Sequence, residues 1–201
     1  IYSISLNGKN KKAISPKNGF NGASFTSNYK YFIHTFEDSN TPLIYSLRES
    51  KTGELVRIIM DNNELLKKLK PYDLSRKDFS KINFNGQDLN MWMIKPTNFN
   101  PKKKYPVLIY QYSGPGSQEV ENRWNNNRDF WHQLLAQKGY IIVCVDGRGT
   151  GFKGKKFKKV TYGQLAKYET EDQISFAKYL SKLPYIDKNR IGIWGWSYGG
   201  L

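Results

Sequence analysis

Three apolar runs restrict what this chain can fold into more than any other feature. "YPVLIYQY" (residues 105–112), "YIIVCVD" (140–146) and "RIGIWGW" (190–196) are almost free of charge. They lack the polar–apolar alternation of a half-exposed strand, so each reads as a strand buried on both faces. Between them the period changes. "DFWHQLLAQKG" (129–139) predicts a helix stopped by Gly139, and "ETEDQISFAKYLSKL" (169–183) predicts a second. The second carries acids in its first turn, where the helix dipole favours them, and places Ile174, Ala177, Leu180 and Leu183 on one face. Strand, helix, strand, helix, strand with buried strands predicts a parallel sheet covered on both sides. Ahead of this series, "DFSKINF" and "DLNMWMIKP" flank Asn85-Gly86, the composition of a tight hairpin reversal.

The first sixty residues differ in character. "IYSISL", "ASFT", "KYFIHTF", "PLIYSLRE" and "ELVRIIM" are short aromatic or β-branched runs separated by turn compositions such as "SPKNGFNG", "EDSNT" and "SKTG". Four or five such strands form a small sheet, suited to the last blade of a β-propeller. "NNELLKKLK" then reads as a short amphipathic helix running into Pro71. The domain expectation is therefore 1–75 for the C-terminal end of a propeller and its linker, and 76–201 for the N-terminal part of an α/β domain. The opening "IYSISL" reads as a strand already in progress, which predicts further chain before Ile1 and leaves no signal peptide in view.

Composition narrows the functional classes. Of the 201 residues 38% are hydrophobic and 15% aromatic, which excludes a disordered chain. No apolar run approaches the roughly 18 residues of a membrane helix. The single cysteine, Cys144, rules out an internal disulfide and reads as a small buried hydrophobe. Lys and Arg total 32 against 17 acids, a formal charge of +15. Nucleic acid therefore has to be weighed. The basic stretches "LLKKLK", "PKKKYP" and "KGKKFKKV" sit at loops and element ends, and no nucleic-acid-binding signature accompanies them. They read as solvated surface, giving weak, unspecific retention on DNA and no specific partner.

The chemistry gathers at the end of the third apolar run. Gly195-Trp196-Ser197-Tyr198-Gly199 fits the Gly-x-Ser-x-Gly nucleophile elbow in the context that motif needs, directly after a buried strand. In such a turn the serine takes a strained backbone conformation, its neighbours two positions away must be tiny, and its hydroxyl stands above the sheet edge. The α/β-hydrolase fold follows. The backbone N–H of Tyr198 is then one oxyanion donor. The second donor is expected from "YQYSGPG" (110–116), where a tyrosine hydroxyl could serve. Tyr110 and Tyr112 both qualify by position. The two histidines, His34 in a meander strand and His132 in a helix, read as structural. In the order Ser, acid, His of these hydrolases, the triad acid and base are expected beyond residue 201. "DGRGTG" (146–151) lacks phosphate-loop spacing and reads as a tight strand exit with an Asp146–Arg148 ion pair.

"YPVLIYQYSGPGSQ", "CVDGRGTGFKG", "YETEDQISFAKYL" and "RIGIWGWSYGG" together resemble the dipeptidyl peptidase IV branch of the prolyl oligopeptidase superfamily, most closely its bacterial members from the Bacteroidetes. The resemblance is strong over residues 76–201 and weaker before. It implies that Ser197 is the acylated nucleophile, that Tyr112 is the side-chain oxyanion donor, that Tyr198 also borders the proline pocket, and that Trp196 packs beneath the elbow beside the substrate site. It implies peptide substrates with Pro or Ala second, cleavage after that residue, no metal or cofactor, a homodimer, and a periplasmic or cell-envelope location. Two positions depart from relatives: Leu201 stands where Tyr or Phe is common, and Gly116 where some have Cys or Asn. Related tripeptidyl, acylaminoacyl and oligopeptidase activities, and a non-catalytic binding homologue, are the alternatives. The 201 residues alone are expected to be inactive, since two triad members are missing, and unstable through their exposed sheet edges.

Overall fold

A computed structural model describes residues 1–15, 18–84, 86–124 and 126–201. The chain divides into two compact units: Ile1–Asp73 with Asn122–Asn126, and Leu74–Glu121 with Asn127–Leu201.

In the first unit β1 (Tyr2–Ser3) pairs antiparallel with β2 (Lys12–Ala13). A four-stranded antiparallel meander follows, in the order β3 (Phe20–Phe25), β4 (Tyr31–Asp38), β5 (Thr41–Glu49), β6 (Leu55–Met60). Phe32, His34 and Phe36 alternate inward along β4 and are buried, as the period-2 geometry of a strand dictates. β6 is an exposed edge strand along its whole length. A short helix, α1 (Asn63–Leu69), and a 3-10 turn lead out of the sheet. Within the same unit, Glu37 accepts from Arg123 Nε at 2.6 Å and from the Trp124 backbone N–H at 3.2 Å, fastening these two residues to β4.

His34 is structural, and its surroundings define its tautomer. Arg48 Nε–H donates to Nδ1 at 3.2 Å, so the ring proton sits on Nε2, which donates to Asn21 Oδ1 at 2.7 Å. Burial, reinforced by the Arg48 charge, lowers the imidazole pKa from 6.5 to about 4. The unfolded chain therefore binds the proton first, and the stability due to neutral His34 is lost as pH falls from about 6.5 towards 4. His34→Asn should flatten the acid side of a plot of urea midpoint against pH; an unchanged slope would refute this role.

The second unit is built on one five-stranded sheet. β7 (Lys77–Phe84) and β8 (Gln87–Ile94) form the expected hairpin, with Phe84 opposite Gln87. Asn85 of the anticipated reversal lies outside the described residues, as do Pro16 and Lys17 of the first unit's "SPKNGFNG" turn. β9 (Tyr105–Gln111), β10 (Ile141–Asp146) and β11 (Ile186–Gly195) are the three apolar runs, and the sheet order is β11-β9-β10-β8-β7. β11, β9 and β10 are mutually parallel, while β8 runs antiparallel to β10 and continues the sheet through the hairpin. The sheet is thus mixed, not purely parallel.

Helix α2 (Asn126–Gln137) covers one face, where Trp92, Ile94, Tyr110, Ile142, Cys144 and Ala136 cluster. After the short α3 (Gly154–Lys159), α4 (Lys167–Leu180) covers the other face, where Phe176 and Leu180 meet Met91, Val107, Ile109, Val143 and Val145. Ile174, expected on the buried face of α4, is 50% exposed. Leu180 is buried as expected and Ala177 and Leu183 pack against the core, while Glu169, Asp172, Gln173 and Phe176 complete a buried stripe that is polar at its N-terminal end. Cys144 is buried, as its apolar run predicts.

Candidate active site

The strand order locates the site. From β9 the chain crosses to β10 through α2, then returns past β9 to β11 through α4 on the opposite face. β9 and β11 are neighbours, with the connection out of β9 crossing one face of the sheet and the connection into β11 crossing the other, and in open α/β sheets the crevice beyond the carboxyl ends at such a reversal is where ligands bind. Gln111 pairs with Gly195 at these ends. Tyr112 and Ser197 follow within two residues of each.

At the end of β11 the backbone makes the expected elbow. Trp196 is still extended (φ −119°, ψ 143°), and Ser197 then turns to φ +55° at the start of a 3-10 turn, Ser197–Gly200. That conformation is unfavourable for a residue with a Cβ and marks stored strain. The flanking glycines are needed for close approach. A Cβ on Gly195 would lie 2.6 Å from Gln111 O, and one on Gly199 would come 3.1 Å from Tyr112 Cα and still nearer to Gln111 O. The side chain of Gln111 donates to Gly199 O, tying the elbow to the end of β9. Ser197 is exposed, and its hydroxyl has no hydrogen-bond partner among the described residues.

The two tyrosines left open by position have different surroundings. Tyr110 is buried, and its hydroxyl donates to Glu119 Oε2 at 2.9 Å. Its ring packs on Trp92, Trp194 and His132, so it is a core aromatic on the α2 face. Tyr112 lies beyond the strand. Its ring leans over Gly114, where an added Cβ would approach Tyr112 Cδ1 to 3.0 Å, and its centroid is 6.4 Å from that of Tyr198. The Tyr112 hydroxyl has no hydrogen-bond partner among the described residues.

Tyr198 is held by its own hydroxyl, which donates to Glu169 Oε1 at 2.8 Å. Burial and this bond raise its pKa above the ordinary 10. Trp196 differs from expectation. It does not pack beneath the elbow, since its side chain is 78% exposed. The extended backbone at Trp196 carries it off the end of β11, past the Trp194–Trp131 contact that closes the α2 face. Leu201 is also exposed.

His132 is a core histidine. It is fully buried among Trp92, Tyr110, Trp131 and Trp194, and neither ring nitrogen has a hydrogen-bond partner among the described residues. Its Nδ1 lies 3.6 Å from Asp129 Oδ1, and Asp129 pairs with the buried Lys77 at 2.7 Å.

The expected Asp146–Arg148 pair does not form. Asp146 turns towards the loop after β9 and accepts the backbone N–H groups of Glu119 and Val120 at 2.9–3.2 Å. Arg148 instead grips Asp172 of α4 with a fork of bonds at 2.7–3.1 Å and reaches Glu171 at 3.0 Å. Sequence adjacency suggested a local pair, but the strand exit points the two side chains at different partners. Burial is the main cause that pushes Asp146 up to about 6, against the two backbone donors, which lower it. The folded state then binds the proton more tightly than the unfolded, so this contribution is lost as pH rises from about 4 to 6, opposite in sign to His34. Asp146→Asn should abolish that component of the pH–stability curve, and its persistence in the variant would assign it elsewhere.

Glu169 and Gln173 were missed as site residues. Gln173 Nε2 reaches Ser113 Oγ at 3.3 Å, directly beside Tyr112. The available signal was their spacing, since 169, 173, 176 and 180 continue one helical face from polar into apolar residues. Among the described residues no group of three or more His, Cys, Asp or Glu could hold a metal ion. No helix among them is long and apolar enough to cross a membrane.

A strained serine between two closely packed glycines at the carboxyl edge of such a sheet has the shape of the nucleophile elbow of α/β hydrolases. Residues 126–201 match the prolyl oligopeptidase family, a family of serine peptidases. Over its whole length the chain is 39% identical to the "Probable dipeptidyl-aminopeptidase B" of Pyrenophora tritici-repentis and 38% identical to that of Sclerotinia sclerotiorum, covering 23% and 22% of those proteins. The crystal structure of Porphyromonas gingivalis dipeptidyl peptidase 4 superposes on 98% of the chain with a TM-score of 0.93 at 44% identity, and 28% of that chain is covered. The resemblance to the dipeptidyl peptidase IV branch is therefore shown, and with it the fold class: the N-terminal half of an α/β-hydrolase domain preceded by propeller strands. The chain spans about a quarter of the length of these relatives.

Proposed function

We propose that this chain carries the nucleophile and oxyanion side of a serine peptidase that releases N-terminal dipeptides with Pro or Ala second. Residues 1–75 are read as the end of a propeller domain with its linker, and 76–201 as the first part of the peptidase domain. Ser197 attacks the carbonyl carbon of the second residue, its proton passing to a base supplied from outside this chain. The tetrahedral oxyanion is held by the Tyr198 backbone N–H and the Tyr112 hydroxyl. The base passes that proton to the departing amine, and water then hydrolyses the acyl-enzyme.

The observation that carries this reading is Ser197 at φ +55°, between two glycines with no room for a Cβ. The names of the relatives support a dipeptide product over tripeptidyl or endopeptidase activity. Tyr198 and Tyr112 also border the substrate. Trp196 belongs to the substrate side only through its exposed ring. A homodimer and a cell-envelope or periplasmic setting belong to the same proposal.

The test is fluorophosphonate labelling of a protein that carries this chain at its relatives' full length, with the labelled peptide located by mass spectrometry. Label on Ser197 is expected. An active protein labelled on another serine would refute the assignment.

A further inference from the structure

We propose that Glu169 is a positioning residue: through the hydroxyl of Tyr198 it sets the backbone N–H that Tyr198 offers to the oxyanion, an inference that rests on the serine-peptidase reading above. Tyr198 is the residue whose amide follows the nucleophile, and it lies in a turn of only four residues. A strained turn holds its geometry only when its surroundings over-determine it. Two side-chain bonds among the described residues restrain it from outside the turn. One is the Gln111 side chain on Gly199 O. The other is the 2.8 Å bond from the Tyr198 hydroxyl to Glu169 Oε1.

The anchor end of that bond is rigid. Glu169 is 5% exposed, and its helix is fixed by the fully buried Phe176 and Leu180 and by the Asp172–Arg148 fork. One turn along the same face, Gln173 reaches Ser113, so one polar stripe of α4 contacts both loops that carry the oxyanion donors. A carboxylate placed where the helix could have continued its apolar stripe costs stability unless it is used. Glu169 Oε2 is itself buried without a partner, so Oε1 to Tyr198 is the side chain's one hydrogen bond among the described residues.

A tether on an oxyanion donor acts on the transition state more than on bound substrate. In a protein carrying this chain at its relatives' length, Glu169→Leu should lower kcat on an X-Pro reporter about 10- to 100-fold, with KM changed less than about threefold. Glu169→Gln keeps an acceptor oxygen and should recover kcat to within about threefold. Tyr198→Phe keeps the ring and the amide and removes only the tether, so it should reproduce the loss. In the double variant the two losses should not add.

Wild-type kcat in Glu169→Leu, a loss confined to KM, or a loss that adds in full to that of Tyr198→Phe would each overturn the proposal. If Glu169→Leu does not fold, Tyr198→Phe decides alone, and wild-type kcat there overturns it. Fluorophosphonate labelling of the unsubstituted protein separates the two levels. No label on Ser197 removes the peptidase reading and this inference together. Label on Ser197 with an unaffected Glu169→Leu removes this inference only.

Discussion

Ser197→Ala should reduce turnover of an X-Pro reporter by about 10⁶-fold and abolish fluorophosphonate labelling, while leaving the fold unchanged. The magnitude follows from the loss of the covalent route that the proposed mechanism assigns to Ser197. The neutrality towards folding follows from the structure. The Ser197 hydroxyl makes no hydrogen bond among the described residues, and the strain at φ +55° falls on alanine as it does on serine. Thermal melts of the two proteins should therefore coincide within a degree or two, by the usual scaling of small energy changes. Turnover that survives the substitution would sink the nucleophile assignment, whatever the elbow geometry.

Tyr112→Phe should lower kcat by about 10²- to 10³-fold, the usual cost of removing one oxyanion donor. The ring stays over Gly114 and beside Tyr198, so the loop has no reason to move. Only a hydroxyl without a hydrogen-bond partner among the described residues disappears, which makes the kinetic effect separable from stability. Tyr110→Phe is the matched control. It breaks the bond to Glu119 inside the core and should cost about 1 kcal/mol of stability without a comparable fall in kcat. Equal turnover by Tyr112→Phe and the parent protein would remove Tyr112 from the oxyanion site. A collapse of kcat in Tyr110→Phe alone would point to the other tyrosine.

Much of this site is legible in the residues, because its requirements are local. A buried strand shows as an uninterrupted apolar run, and an elbow shows as two glycines flanking x-Ser-x, since the steric conflict lies within five residues. The meander is legible for the same reason, through its alternation and turn compositions. What is not legible depends on which residues meet from distant parts of the chain. Asp146 and Arg148 are two apart in sequence, yet one reaches 119–120 and the other Asp172. Glu169 and Asp172 read as dipole-favoured acids in a first turn, because nothing nearby in sequence shows that Tyr198 and Arg148 await them. Trp196 reads as packing material, whereas the extended backbone leaves it outside.

By itself the sequence determined the classes of element, the switch from meander to α/β series and the identity of the elbow serine, all set by side-chain period and by sterics over a few bonds. Only the tertiary structure decided that the hairpin makes the sheet mixed, that Tyr110 is core while Tyr112 lies beyond the strand with its ring beside Tyr198, and that a polar stripe on α4 reaches Tyr198 through Glu169 and Ser113 through Gln173. Those outcomes follow from the sheet order, which sets β11 against β9 and α4 across their ends. That order is a long-range consequence of burying every apolar face at once, and no short stretch of residues carries it.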